Sequence, residues 1–97
     1  MVIGSLTVRL LVRESRTLKD KRQVVRSILE RVKGGFNVSA AEVDTHDDVK
    51  VATLGFAAVG FETAAVRGVL NQIAEALRRH PVAEYLGGEV SVGNEVV

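Results

Sequence analysis

Residues 15–33 repeat their apolar side chains with the period of an α-helix, and this helix limits the folds open to the chain. Thr17 suits the start of the helix, because its hydroxyl can accept from the amide of Asp20 while the Asp20 carboxylate accepts from the amide of Thr17. The apolar face is formed by Leu18, Val24, Val25, Ile28, Leu29 and Val32. Gly34 and Gly35 then predict a C-terminal cap in which glycine takes a positive φ.

Segments with the alternating period of β-strands surround this helix and a second one. Residues 2–12, 36–43, 49–61 and 82–92 are predicted as strands, and residues 93–97 as a frayed tail. The second helix is predicted to start near Thr63 and to stop at Pro81. Its apolar stripe is formed by Val66, Val69, Leu70, Ile73, Ala74 and Leu77.

The order strand, helix, strand, strand, helix, strand predicts an α+β fold. We expect one domain over residues 1–97, a ferredoxin-like βαββαβ sandwich with a four-stranded antiparallel sheet and both helices on one face. Leu54 and Phe56 are predicted to face the helices. The uncovered face would carry Thr7, Arg9, Leu11, Arg13, Val51, Thr53, Ala57 and Val59. Because this mixture is too apolar for an obviously free surface, a homodimer through the open face or an edge strand is expected.

The charge is segregated along the chain although the formal net charge is only +1. Residues 1–33 carry nine Lys and Arg against three Asp and Glu, whereas the remainder carries four against nine. A basic helix face could attract a polyanion, and it could equally be a solvated face whose charges pair with acidic loops. No cysteine is present, and the apolar start is too short and too interrupted to span a bilayer. These features predict a cytoplasmic protein without membrane contact.

Two segments resemble a known family. Ser15 followed by Leu18-Lys19-Asp20-Lys21-Arg22, together with residues 36–44, is similar to the YlxP-like family of small bacterial proteins of unknown function. The resemblance implies a ferredoxin-like fold, self-association, no established enzymatic activity, and genes near those of ribosome maturation and translation factors. The basic helix start carries over onto Lys19, Lys21 and Arg22. The chain departs from the family pattern at His46, Val49 and Val51, where a glutamine, an aromatic residue and an arginine are common.

The first functional hypothesis is a non-enzymatic module that binds ribosomal RNA or a ribosomal subunit through phosphates. Its predicted nucleic-acid-binding residues are Lys19, Lys21, Arg22, Arg26 and Lys33, with Arg9 and Arg13 extending the patch. Lys21 projects toward the apolar side, so its stem should cover the core edge while its ammonium reaches water. Base stacking on the sheet is not expected, because Phe36, Phe56 and Phe61 are predicted to be core. A homo-oligomer associating through the open sheet is the alternative.

The hypotheses of an enzyme and of a metal-binding protein have weaker support. Glu42, Asp44, His46, Asp47 and Asp48 could offer ligands to a divalent ion, but an acidic surface turn is the commoner meaning. Residues 13–17 have cations and hydroxyls but lack the glycines of a phosphate-cradling loop. We therefore predict no catalytic residue, no metal site and no cofactor.

Overall fold

The computed structural model describes residues 1–94. Its elements are β1 (Val2–Leu11), α1 (Leu18–Gly35), β2 (Ser39–Asp44), β3 (Val51–Gly60), α2 (Thr63–Arg78) and β4 (Glu84–Asn94). The strands form one antiparallel sheet in the order β2-β3-β1-β4. The ferredoxin-like fold is confirmed. Two residues of the predicted tail, Gly93 and Asn94, belong to β4, and residues 95–97 lie outside the described part.

The core lies between the helices and one face of the sheet. On β1 every second side chain is buried, and Leu6, Val8 and Leu10 lie opposite Phe56, Leu54 and Ala52 of β3. The helices cover this layer with Val25, Ile28 and Val32 from α1 and Val66, Leu70, Ile73 and Leu77 from α2. Burying each of the larger aliphatic side chains contributes about 1.5–3 kcal/mol. Leu54 and Phe56 belong to this buried layer and face the helices, as predicted.

The start of α1 is the predicted capping box. Asp20 N donates to Thr17 Oγ1 at 3.1 Å, and Thr17 N donates to Asp20 Oδ2 at 3.2 Å. The predicted glycine cap is wrong, because α1 runs through Gly34 and Gly35, and no glycine among residues 1–94 has a positive φ. The chain leaves the helix at Phe36, whose half-buried ring packs against the core while its backbone turns extended. Packing of that ring decides where the helix ends.

Phe61 is not a core residue, which corrects a second expectation. Its side chain is 93% exposed. Phe61 directly follows Gly60, the last residue of β3, so it lies beyond the paired strands and the layer that the helices cover. Neither α1 nor α2 is long and apolar enough to cross a membrane.

The end of α2 depends on a histidine. Nδ1 of His80 accepts hydrogen bonds from the backbone amides of Val82 and Ala83, each at 3.2 Å. Burial lowers the pKa of the His80 imidazole, and the nearby Arg31 guanidinium lowers it further. The neutral ring with an unprotonated Nδ1 is the form that holds the chain as it leaves α2 for β4.

Gly4 permits α2 to lie close to the sheet, and a side chain there should be costly. A Cβ at Gly4 would lie 2.6 Å from Val66 Cγ1 and 2.8 Å from Leu70 Cδ1. We expect Gly4→Ala to lower the free energy of unfolding by about 1–3 kcal/mol through overpacking, as measured by urea denaturation. Gly68→Ala is the control, because a Cβ there meets no atom within 4 Å. It should raise stability by about 1 kcal/mol. An unchanged urea midpoint for Gly4→Ala would contradict this packing.

Candidate nucleic-acid interface

Four cations follow one flank of α1 and form what we call the basic stripe. They are Lys19, Arg22, Arg26 and Lys33, and all four are exposed. At 3.6 residues per turn they fall within an arc of about 60° and span about 21 Å of helix. Within residues 1–94, none of the four has a carboxylate oxygen within 4.0 Å. The exposed Glu30 adjoins the stripe without pairing to it. The stripe therefore keeps its positive charge available to solvent.

Lys21 does not belong to this surface, although it was predicted to bind nucleic acid. Its side chain is 0% exposed. The ammonium donates to the carbonyl oxygens of Thr45 at 2.6 Å and Val51 at 3.0 Å, and it lies 3.1 Å from Glu42 Oε2. These oxygens replace the water that a lysine at a helix start would otherwise reach. A phosphate cannot contact this ammonium, so the prediction for Lys21 is wrong.

Glu42 balances the buried charge of Lys21. Its side chain is 12% exposed, and its contact with the ammonium is an ion pair whose geometry is not that of a hydrogen bond. Oε2 has no hydrogen-bond partner among the described residues. The carboxylate therefore acts through its charge, while the two carbonyl groups supply the directional bonds.

A second lysine, in the turn between β2 and β3, fastens the same end of the sheet. Lys50 Nζ donates to the carbonyl oxygens of Arg13 at 2.6 Å and Ser15 at 2.8 Å, so the turn holds the loop that leads into α1. Asp48 Oδ1 accepts from the amides of Lys50 and Val51, each at 2.8 Å, and these bonds lower the pKa of the Asp48 carboxyl. Sequence reasoning missed Lys50, because its acceptors lie 37 and 35 residues away along the chain and no local pattern marks the contact.

The turn itself contains an unusual backbone position. Thr45 has a φ of 59°, and its hydroxyl lies 2.9 Å from that of the buried Thr53. The backbone amide of Thr45 donates a hydrogen bond to Asp44 Oδ1 at 2.7 Å. Because the Thr45 carbonyl also accepts from Lys21, this left-handed residue is held from several sides.

The acidic residues and the histidine around this turn make their contacts within the protein. The contacts of Glu42, Asp44 and Asp48 are described above, and His46 Nε2 lies 3.1 Å from the carbonyl oxygen of Glu42. The described residues contain no group of three His, Cys, Asp or Glu side chains placed to hold a metal ion. Asp47 is exposed. The acidic segment is thus a turn with internal hydrogen bonds.

Arg9 and Arg13 do not extend the basic stripe. Arg9 lies on β1 between Val8 and Leu10, which are both fully buried, so its side chain projects from the sheet face opposite the helices. The Arg13 guanidinium donates to both carboxylate oxygens of Glu84, at 2.9 and 3.0 Å. The prediction that Arg9 joins the helix patch is wrong, because the sheet separates Arg9 from α1. Arg13 is exposed, but its ion pair with Glu84 means that it adds no unpaired charge to the stripe.

The open sheet face has an apolar end and a flat centre. Ile3 and Val59 lie opposite each other and are 41% and 62% exposed, and the exposed Phe61 follows two residues after Val59. We call these three residues the apolar row. At the centre, the β-bulge after Glu42 places Val43 over Gly55. A Cβ added to Gly55 would lie 2.7 Å from Val43 Cγ1. A shallow depression of about 470 Å³ is lined there by small residues, including Ser5, Ser39, Ala41 and Ala57.

Comparison with known proteins agrees with this fold and supplies no activity. Residues 3–90 match the family model described as "Protein of unknown function (DUF503)". The chain belongs to the DUF503 family. It is 29% identical over 83 residues to "Uncharacterized protein YlxP" of Bacillus subtilis (strain 168), covering 86% of this chain and 90% of that protein. The resemblance to the YlxP-like family is therefore confirmed.

A structural relative supports the fold alone. The solution NMR structure of a de novo designed protein with a ferredoxin fold matches this DUF503 protein with a TM-score of 0.51 at 19% identity. The match covers 100% of this chain and 89% of the designed one. An arrangement shared with a designed protein of such low identity says nothing about a ligand.

Loss of the Lys21 ammonium should destabilise the protein far more than loss of an exposed cation. We expect Lys21→Met to lower the free energy of unfolding by about 3–5 kcal/mol, because Glu42 is left buried without its partner. Lys19→Met, in the same helix turn but exposed, should change stability by no more than about 0.5 kcal/mol.

Urea denaturation of both variants measures the difference. The double variant Lys21→Met/Glu42→Leu tests the cause, because removing both charges should restore part of the stability lost in the single variant. Equal stability of Lys21→Met and Lys19→Met would contradict the ion pair.

Proposed function

We propose that this DUF503 protein is a non-enzymatic module that binds the phosphate backbone of RNA along the basic stripe, with ribosomal RNA or a ribosomal subunit as its partner in the cytoplasm. The observation that carries the proposal is the set of four exposed cations, Lys19, Arg22, Arg26 and Lys33, without a carboxylate partner in residues 1–94. Counterion release from phosphates supplies the binding free energy for such a surface.

The basic stripe suits phosphates better than bases. Its arginines can bind phosphate oxygens in a bidentate fashion, whereas its lysines act as point charges. No aromatic residue occurs in α1, so stacking of unpaired bases on this helix is not available. Contacts of this kind fix position along a backbone and carry little sequence information. The gene neighbourhood implied by the family resemblance supports a ribosomal partner.

Salt dependence measured with structured RNA and with ribosomal subunits tests this function. If the four cations each contact a phosphate, log K should fall with log salt with a slope of about −3 to −4. Arg22→Glu/Arg26→Glu should lower affinity at least tenfold at low salt and make the slope shallower by about two. The fold of each variant is checked by circular dichroism.

Arg67→Glu/Arg78→Glu is the matched control for that pair. It changes the net charge by the same amount at two exposed arginines of α2. It should keep the wild-type slope. Absence of binding by the unaltered protein at low salt, or equal losses in both double variants, would sink the proposal.

We propose homodimerisation through the open sheet face as a second candidate function. It is favoured by the apolar row, in which Phe61 is 93% exposed, and by the flat floor beside it. Arg9 and Glu89 also project from this face, and neither has an ion-pair partner within the described residues. A two-fold axis would pair Arg9 of one copy with Glu89 of the other, which makes a second copy the fitting partner. The basic stripe would stay free on the far side of the sheet.

Sedimentation equilibrium over a range of protein concentration tests the dimer. Phe61→Asp should weaken self-association at least tenfold, because it places a charge in the apolar row. Gln72→Asp, an equal charge change at an exposed site on α2, should leave it unchanged. A monomer at every concentration, or the same mass distribution for both variants, would rule out this interface.

A further inference from the structure

A groove between the two helices is separate from both surfaces described above. Its floor is apolar, with Ile28 and Val32 of α1, Leu77 of α2 and Phe36 among its lining residues. Its volume is about 330 Å³. A second depression of about 330 Å³, lined by Val24, Ser27 and Val82 among others, shares Arg31, His80 and Pro81 with the first. We call the two together the interhelical groove.

The charged groups that line the groove are all cationic. Arg31 lines both depressions, and Arg79 lines the one whose floor includes Ile28 and Leu77. Neither guanidinium has a carboxylate oxygen within 4.0 Å in residues 1–94, and no Asp or Glu lines either depression. The nearest acid on α2, Glu75, is paired with Arg78 at 3.3 Å. The groove thus offers unneutralised positive charge above an apolar floor.

The histidine at the centre of the groove adds a donor. Because Nδ1 of His80 accepts from the amides of Val82 and Ala83, the proton of the neutral ring resides on Nε2. The two guanidinium groups can only donate as well. A ligand that satisfies these side chains has to supply acceptor oxygens with negative charge at one end and an apolar body at the other.

We propose that the interhelical groove binds a small apolar carboxylate, an alkanoate or arylalkanoate. Its chain lies against Ile28, Val32 and Leu77, and its carboxylate is held by Arg31 and Arg79. Planar guanidinium groups match the two oxygens of a carboxylate, and binding pockets for small molecules combine apolar walls with a few such polar groups. A volume at the lower end of the range for ligand pockets, about 300–1,000 Å³, favours a small molecule over a peptide.

This site is independent of RNA binding. Arg31 lies about 140° around α1 from Arg26, so the groove and the basic stripe occupy different flanks of the same helix. Either can fail without the other. A carboxylate in the groove would leave the four cations of the stripe exposed.

Titration of the full chain with decanoate, followed in ¹H–¹⁵N correlation spectra, tests the proposal. Saturable shifts are expected at the amides of Ile28, Arg31, Val32, Leu77 and His80. Decanol has the same chain without the charge and acetate has the charge without the chain, so each should bind at least tenfold more weakly. Saturable decanoate binding confined to the groove would support the site, and its absence up to the solubility limit would overturn it.

Two variants separate recognition from nonspecific attraction. Arg31→Gln/Arg79→Gln should weaken decanoate at least tenfold and leave decanol unchanged. Arg22→Gln/Arg26→Gln removes the same charge from the basic stripe and should keep decanoate affinity within twofold. Ala76→Phe, at an exposed position that lines the groove, should block the site while the fold is retained. Equal losses in the two arginine pairs, equal affinity for decanol and decanoate, or shifts centred on the open sheet face would each overturn the proposal.

Discussion

The ammonium of Lys21 lies inside the protein, and the end of the sheet where α1 begins is built around it. A buried charge is costly unless it is paired and hydrogen-bonded, and here a carboxylate of β2 and carbonyl oxygens at the two ends of the β2–β3 turn meet that need together. The first turn of α1 is therefore fixed to three parts of the chain at once. Lys50, in the β2–β3 turn, strengthens the same end of the sheet by donating to two carbonyl groups of the loop between β1 and α1.

Fixing this helix turn also fixes the direction of every other side chain of α1. With Lys21 directed into the protein, Lys19 and Arg22 must point outward, and the period of the helix carries the same orientation on to Arg26 and Lys33. Arg31 then falls on the opposite flank, beside the end of α2. The sheet separates both flanks from the open face. One two-layer fold thus presents three surfaces of different chemistry: cationic, apolar with cations at its rim, and apolar with a flat floor.

The features predicted correctly from the sequence are those set by neighbours along the chain. Alternation identified the strands, the 3.6-residue period identified both helices, and the Thr17–Asp20 pair identified the start of α1. The incorrect expectations concern positions whose outcome is decided by distant residues. Gly34 and Gly35 are residues typical of a helix cap, yet the helix continues through both of them and ends where Phe36 packs on the core. Phe61 is of a type common in cores, yet its place just beyond β3 leaves it in solvent.

The candidate surfaces divide in the same way. The exposed cations of the basic stripe follow from periodicity alone, because a helix with one apolar face must direct its charged residues away from it. The fate of Lys21 does not follow from periodicity, since its two hydrogen-bond acceptors stand 24 and 30 residues further along the chain. The exclusion of Arg9 and Arg13 and the existence of the interhelical groove likewise need the assembled layers. Local patterns are encoded within a few residues, whereas burial of a charge and the shape of a groove depend on groups that only folding brings together.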